Sequence, residues 1–141
     1  GIRAFSNVSG LTEINISDYV TSIGDRAFQV CTSATSINIG SGMRTFGNKT
    51  FANTGVVSVV IPDTITDLGS ETFLDCKSLV EATIGSGVTN IGTYCLGRCT
   101  KLATINYNGT KSQWNSITKG SNWHVSSITN VVHCTDGDVN I

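Results

Sequence analysis

The sequence predicts a strand-rich repeat solenoid of the α/β class, with only short helical or 3-10 turns and about 23 residues in each repeat. Apolar residues and glycines recur at a nearly constant spacing. The 141-residue chain has 15 glycines but 1 proline, and only 13% of its residues are charged. This composition suits many short strands and turns. A hydrophobic fraction of 39% and a net charge of −1 argue against a disordered chain.

The repeat appears as columns of residues that share one register. The clearest columns are Phe5, Phe28, Phe51, Phe73 and Leu96, then Gly24, Gly47, Gly69 and Gly92, and then Ile16, Ile39, Ile61, Ile84 and Tyr107. Every step within these columns is 22 or 23 residues. The columns share a single one-residue deletion, which falls between Phe51 and Val56.

One unit is predicted to contain two short extended segments and a compact turn. In the first complete unit, residues 11–16 form a strand that points Asn15 away from the core. Residues 20–24 form a second extended stretch. Residues 25–31 are too few for a stable isolated helix, so we expect a single helical or 3-10 turn held by Phe28.

Stacking is required because one unit cannot bury its apolar residues alone. Each added unit extends the core by about 4.8 Å per strand, and the phenylalanine column is expected to form a ladder along it. The glycine column is expected to allow either close approach of backbones or a left-handed conformation.

Two stretches of the sequence match a known repeat consensus. V-T-S-I-G-D-R-A-F, beginning at Val20, and V-T-N-I-G-T-Y-C-L, beginning at Val88, resemble the BspA-type leucine-rich repeat, and the resemblance covers residues 1–107. It implies a leucine-rich-repeat solenoid and a secreted or cell-surface protein. It also implies roles in adhesion, host matrix binding or co-aggregation, and it supplies no catalytic residues. Thr54 departs from the consensus by replacing a cysteine, and Cys95-Leu96 replaces Ala-Phe.

The beginning of the chain matches the second half of a unit. Residues 1–107 are therefore assigned to repeats of which the first is truncated, and this raw edge is expected to be able to pair with another chain. No signal peptide is visible at the start of the sequence, so we expect the true N-terminus, with any export signal, to lie outside it.

Residues 108–141 are predicted to form a C-terminal cap made of a helix and a hairpin. The pattern Thr110-Lys-Ser-Gln is typical of a capping box, and it opens a short helix with Trp114 and Ile117 facing inward. Residues 131–141 predict a hairpin with a turn at Asp136-Gly137.

The cysteines favour a structural role. Cys31, Cys76 and Cys99 occupy one repeat column, which predicts a ladder of buried, small apolar side chains. Because Cys76 and Cys99 lie in adjacent units, their placement also allows a disulfide. The spacing of Cys95 and Cys99 is a weak zinc signal that lacks a second pair. We expect no metal and no cofactor.

Several classes of function find no support in the sequence. Lysine and arginine are scattered singly, so no nucleic-acid partner is expected. No apolar run approaches the roughly 18 residues that cross a membrane, so this chain is not expected to insert into one. No nucleophile elbow or phosphate-binding loop is present, and we expect no enzyme.

The outward positions of the first strands are the candidate ligand-binding residues, provided that these strands form one sheet. They are Glu13, Asn15, Asn38, Glu81, Thr83 and Asn106. The expected partner is an extracellular protein or glycan. Tyr19 and Trp123 are alternative, exposed contact points. Under the other interpretation this face is merely solvated, and the chain is a structural spacer or stalk that displays another domain.

Overall fold

The computed structural model describes residues 1–125 and 128–141, which form a solenoid of about five turns. Ser126 and Ser127, which fall in the predicted cap, lie outside the described residues. The elements in chain order are β1 Glu13–Ile16, β2 Ser22–Ile23, β3 Ser36–Ile39, β4 Thr45–Phe46, β5 Ser58–Val60, β6 Asp67–Leu68, β7 Glu81–Ile84, β8 Asn90–Ile91, β9 Thr104–Tyr107, α1 Lys111–Ser116, β10 Thr118–Lys119, β11 Val131–Cys134 and β12 Gly137–Asn140.

Each complete turn contributes one strand to each of two sides of the solenoid. The front side carries β1, β3, β5, β7, β9 and β11, with β12 antiparallel to β11 at its end, and the second sheet runs β2-β4-β6-β8-β10. The other strand pairs on both sides are parallel. Ile14 pairs with Ile37, and Ala82 pairs with Ile105. The observed register therefore equals the sequence period, and the predicted solenoid and its two extended segments per unit are confirmed.

The phenylalanine column forms the predicted ladder through the core. Consecutive ring centroids from Phe5 to Phe28, Phe51 and Phe73 lie 5.2, 5.7 and 5.3 Å apart, with interplanar angles of 7°, 9° and 16°. Phe51 is completely buried, whereas Phe5 at the N-terminal edge is 52% exposed. Each inner ring is thus covered on both faces by the neighbouring repeats.

The third side of the solenoid, which we call the turn side, consists of β-turns instead of the helical turn expected for residues 25–31. Arg26 and Val30, four residues apart, have φ values of 57° and 62°, and these two left-handed residues prevent a right-handed helix from forming. The backbone N–H of Phe28 instead donates to the carbonyl of Thr50 in the next repeat at 2.9 Å. Equivalent bonds recur along this side.

The glycine column serves close packing of backbones and not a left-handed conformation. A Cβ on Gly47 would lie 2.5 Å from the backbone nitrogen of Asp25, and one on Gly92 would lie 2.5 Å from that of Ser70. Neither glycine has a positive φ. The first of the two roles expected for this column is therefore the one observed.

The shared cysteine column is a ladder of buried thiols. Cys31, Cys76 and Cys99 are fully buried, and each thiol donates to the carbonyl of the phenylalanine in the preceding repeat at 3.1–3.3 Å. All five cysteines are free in this structure. Burial raises the pKa of Cys95 to about 12, which keeps that thiol protonated at neutral pH.

Both sheets continue past Tyr107, where the sequence period ends. The strand β10 pairs with β8, and β11 pairs with β9. Between these strands, α1 begins with the predicted capping box of Thr110 and Gln113. Trp114 and Ile117 are buried, as predicted. The assignment of residues 108–141 as a separate cap stays a prediction, since the strand ladders cross that boundary.

Trp123 is buried and does not form the exposed contact point expected for it. Only 8% of this residue is exposed, because the segment that carries it continues the turn side: the backbone N–H of Leu96 donates to the Trp123 carbonyl at 2.6 Å. Its ring packs on Trp114, with centroids 5.6 Å apart.

The C-terminal hairpin is present, but its turn lies one residue earlier than expected. Cys134 pairs with Gly137, so the two turn residues are Thr135 and Asp136. Gly137 follows with a φ of 126°, a value that glycine adopts readily.

Candidate binding surface

All six predicted ligand-binding residues lie on the outward face of the front strands. Glu13, Asn15, Asn38 and Glu81 are exposed, whereas Thr83 and Asn106 are half-buried. Their neighbours along each strand, such as Ile14 and Ala82, point into the core. This alternation follows from the two-residue period of a strand.

The structure divides these residues into two hydrogen-bonded groups. In the first, the N-terminal cluster, the Asn38 side-chain amide donates to Asn15 Oδ1 at 2.6 Å and to Glu13 Oε1 at 3.1 Å. Asn15 and Asn38 are directly paired in adjacent strands, and such cross-strand pairs stabilise a sheet. The cluster leaves carboxylate and carbonyl oxygens free to accept hydrogen bonds from a partner.

The second group, the C-terminal cluster, repeats the same arrangement three turns further along. The Asn106 side-chain amide donates to Glu81 Oε1 at 2.7 Å and to Thr83 Oγ1 at 3.4 Å. In both clusters an asparagine is therefore oriented by a glutamate of the preceding repeat. Each cluster thus combines one glutamate carboxylate with further hydrogen-bond acceptors.

The front side is not the single sheet that the sequence analysis assumed. Among the described residues, no strand pairing joins β3 to β5, so β1 and β3 form a separate two-stranded sheet. The break falls where the sequence has its one-residue deletion, before β5. There Gly55 approaches so closely that a Cβ would lie 2.4 Å from the Thr32 carbonyl oxygen. The second sheet has no break between the same two repeats, where β4 pairs with β6.

A cleft of about 560 Å³ marks this break, between the two clusters. Ile39, Asn38, Val60 and Pro62 are among the residues that line it. Val60 is 62% exposed and occupies the position where neighbouring repeats carry Asn38 and Thr83. The front face thus presents a notch of mixed polarity with Val60 exposed in it, flanked by two acidic, amide-bearing clusters.

A pair of residues that the sequence analysis did not select extends this face at its C-terminal end. His133 lies beside Asn106 in the register of β9 and β11, and its Nδ1 lies 2.8 Å from Asp138 Oδ1 across the hairpin. The alternation in residues 131–134 was the available signal, since it places His133 outward. The sequence had suggested only a hairpin there.

Tyr19 is exposed, as expected for an alternative contact point. It is 94% exposed and lies in the turn that follows β1. Its position is outside the two clusters, so it does not join the candidate surface.

Within residues 1–125 and 128–141, no three histidine, cysteine, aspartate or glutamate side chains are grouped so that they could hold a metal ion. Nor does the described part of the chain contain a helix long and apolar enough to cross a membrane.

Parallel strands stacked at a 22- to 23-residue period define a repeat solenoid of the leucine-rich-repeat class. The model of the BspA type leucine rich repeat region matches residues 1–128 in 6 copies. This chain belongs to the BspA-type leucine-rich-repeat family. The match extends past residue 107, in agreement with the strands that continue there.

Three solved structures share this fold. A leucine rich cell surface protein from Faecalibacterium prausnitzii A2-165 is 33% identical, with a TM-score of 0.79 over 83% of this chain and 31% of that chain. The T. pallidum leucine rich repeat protein is 21% identical, with a TM-score of 0.59 over 84% of this chain and 64% of that chain. A leucine-rich repeat protein from Bacteroides ovatus ATCC 8483 is 18% identical, with a TM-score of 0.59 over 84% of this chain and 35% of that chain.

These relatives differ in length from this chain. It spans 31% of the Faecalibacterium prausnitzii protein and 64% of the T. pallidum protein. No curated protein has significant sequence similarity to it.

Proposed function

We propose that this chain is a non-catalytic repeat domain of a cell-surface or secreted protein that binds an extracellular protein or glycan through its front face. The observation that carries the proposal is the repeated Glu–Asn cluster on either side of the notch at Val60. The location is supported by the Faecalibacterium prausnitzii protein, a leucine rich cell surface protein to which this chain is 33% identical.

The chemistry of the face indicates which partners suit it. The six front strands contain Glu13 and Glu81 but no lysine or arginine. Carboxylates and amide carbonyls accept hydrogen bonds, so a partner rich in donors, with positive charge near its contact residues, is complementary. The exposed Val60 between the clusters supplies a small apolar contact.

The small size of the face limits the affinity for a partner. Six strands at about 4.8 Å spacing and about four residues in length give a strip of roughly 24 by 13 Å, or about 310 Å². A stable protein interface buries about 800 Å² on each partner. We therefore expect weak, micromolar binding by these repeats alone and tighter binding when further repeats extend the same face.

An array of extracellular-matrix proteins and glycans provides the test. The wild-type chain is compared with a variant in which five front-face residues become alanine, namely Glu13, Asn15, Asn38, Glu81 and Asn106. The matched control carries five alanines at exposed polar positions in or beside the second sheet, namely Thr21, Ser22, Thr45, Thr66 and Thr118. We expect hits that the front-face variant loses and the control keeps. Equal binding by all three proteins would contradict the proposal.

The second candidate function is a spacer that displays another domain. It is favoured by the hydrogen bonds within each cluster, because Asn38 and Asn106 already have partners in the free protein. A spacer predicts no hit on either array at high micromolar protein concentration. The same experiment therefore separates the two functions.

A further inference from the structure

A polar cavity of about 520 Å³ lies on the turn side near the C-terminal end, away from the front face. Its wall includes Asp75, Lys77, Tyr94, Arg98, Asn122 and His124. These side chains come from three successive turns of the solenoid. Small-molecule sites often place a few converging polar groups in a concavity of this size.

The cavity is where the buried polar side-chain atoms without a hydrogen-bond partner are found, as far as the described residues extend. They are Asp75 Oδ1 and both ring nitrogens of His124. Asp75 Oδ1 lies 3.3 Å from Arg98 Nε, which is an ion pair by distance but not a hydrogen bond of ordinary geometry. Buried polar groups are nearly always paired, so unpaired ones beside this cavity set the region apart from the rest of the described core.

Tyr94 supplies an oriented aromatic surface at the rim. It is 40% exposed, and the Asn122 side-chain amide donates to its hydroxyl at 3.1 Å. The backbone at Tyr94 is left-handed, with a φ of 54°. Its N–H donates to the Ser121 carbonyl, which fixes the base of the side chain. The ring is thus held from both ends and is available for stacking.

The charges of the wall favour an anionic group in the ligand. Lys77 and Arg98 carry two positive charges against the single carboxylate of Asp75, and the side chain of Arg98 is 67% exposed. Burial lowers the pKa of His124. The imidazole is therefore neutral at physiological pH.

We propose that this cavity binds a single saccharide unit that bears a carboxylate. The sugar carboxylate pairs with Lys77 and Arg98, its hydroxyls donate to Asp75, and its ring stacks on Tyr94. Hydroxyl donors, a flat apolar ring face and one negative charge together match the groups of the wall. The site is open and small, so a dissociation constant of about 1 mM is expected.

Amide chemical-shift titration of the whole chain with methyl glucuronide tests this proposal, with methyl glucoside as the uncharged comparison. We expect shifts concentrated at residues 75–77, 94–98 and 122–125, and binding of the glucoside about tenfold weaker. Absence of shifts at about 10 mM glucuronide, shifts centred elsewhere, or equal binding of both sugars would overturn the proposal.

Single substitutions at the cavity distinguish an effect on sugar binding from an effect on the fold. Tyr94→Asn removes the ring but keeps a residue that tolerates a left-handed backbone, and Lys77→Gln removes one charge. Each is expected to weaken glucuronide binding about tenfold, whereas Lys101→Gln, an exposed lysine outside the cavity, should not. The front-face alanine variant should bind glucuronide normally, so this proposal and the proposed function can fail independently.

Discussion

Phe51 shows how a single residue depends on both neighbouring repeats. Its ring stacks on Phe28 and Phe73 and meets the edge of Phe46 at a centroid distance of 5.3 Å. Replacing it with alanine removes a fully buried ring from a stack that cannot collapse without moving two repeats. The sequence columns predicted this ladder because a fixed period places identical side chains above one another.

We predict that Phe51→Ala lowers the free energy of unfolding by about 3–5 kcal/mol. The matched variant Phe5→Ala should cost much less, since Phe5 is 52% exposed and has a neighbour on one face. Urea unfolding followed by circular dichroism measures both changes. Equal losses would show that the ladder does not stabilise the core through two-sided stacking.

Asp63 couples stability to pH at the turn after β5. Its Oδ1 accepts the backbone N–H of Ser86 at 2.7 Å, and this bond holds the pKa of the carboxyl below its usual range, with the Asn108 amide adding to the effect. Because the pKa of Asp63 is lower in the folded state, the ionised carboxylate stabilises the fold at any pH above the pKa of the unfolded state. That contribution is lost as the pH falls through the pKa of the folded state.

We predict that the difference in unfolding free energy between wild type and Asp63→Asn is largest above about pH 5 and shrinks below about pH 4. Urea titrations across this range measure the difference. Ser86→Ala is the control, because it keeps the backbone donor and removes only the smallest contribution, that of the Ser86 side chain, so it should preserve most of the pH dependence. A difference that stays constant with pH would contradict the assignment.

At the scale of the element, the second strands can stack only because a glycine follows each of them. Gly47 shows the constraint most clearly, since its neighbours within reach of a Cβ include backbone atoms of Gly24 and Asp25 that cannot move aside. The sequence located this column but not its role, because spacing alone does not distinguish a close approach from a positive φ.

We predict that Gly47→Ala destabilises the chain by about 1–3 kcal/mol through this overlap. Gly10→Ala is the control, since a Cβ on Gly10 meets nothing within 4 Å, and its effect should stay within about 0.5 kcal/mol. Thermal unfolding of the two variants compares them. A neutral Gly47→Ala would indicate that the repeats can separate at this point without loss.

The break between β3 and β5 is an element-scale feature with a dynamic consequence. Backbone groups that face the cleft have no strand pairing there among the described residues, so water reaches them more readily than in the continuous part of the sheet. The deletion between Phe51 and Val56 is visible in the sequence. It could not show whether the missing residue opens the front side, the second sheet or the turn side.

We predict faster amide hydrogen exchange in peptides that contain residues 36–39 and 58–60 than in those that contain 81–84 and 104–107. Mass spectrometry of the exchanging chain resolves these segments. Uniform protection along the front side would mean that the break closes in solution.

At the scale of the molecule, most of the architecture was predictable because each repeat obeys the same local rules as the next. The period, the inward residues, the capping box at Thr110 and the hairpin were all predicted correctly. The turn side was not, since Arg26 and Val30 adopt left-handed backbones that their residue types do not favour. These conformations are held by hydrogen bonds to the next repeat, which only the assembled solenoid provides.

The sequence predicted which residues lie on the candidate surface, but not how their side chains are arranged. Alternation identified Glu13, Asn38 and Asn106 as outward residues, yet their hydrogen bonds depend on side-chain orientation across strands. His133 was missed because its strand belongs to a segment where the sequence period has ended. Trp123 was assigned to the surface for the same reason, although the structure buries it.

The most direct test of binding by the front face is amide hydrogen exchange of the wild-type chain, measured with and without a bound ligand. The ligand is the one that gives the strongest signal on the array of matrix proteins and glycans. We predict slower exchange in the front-strand peptides 36–39, 81–84 and 104–107, with little change in the second sheet. Protection confined to the second sheet or the turn side, or the absence of any hit to bind, would contradict the account.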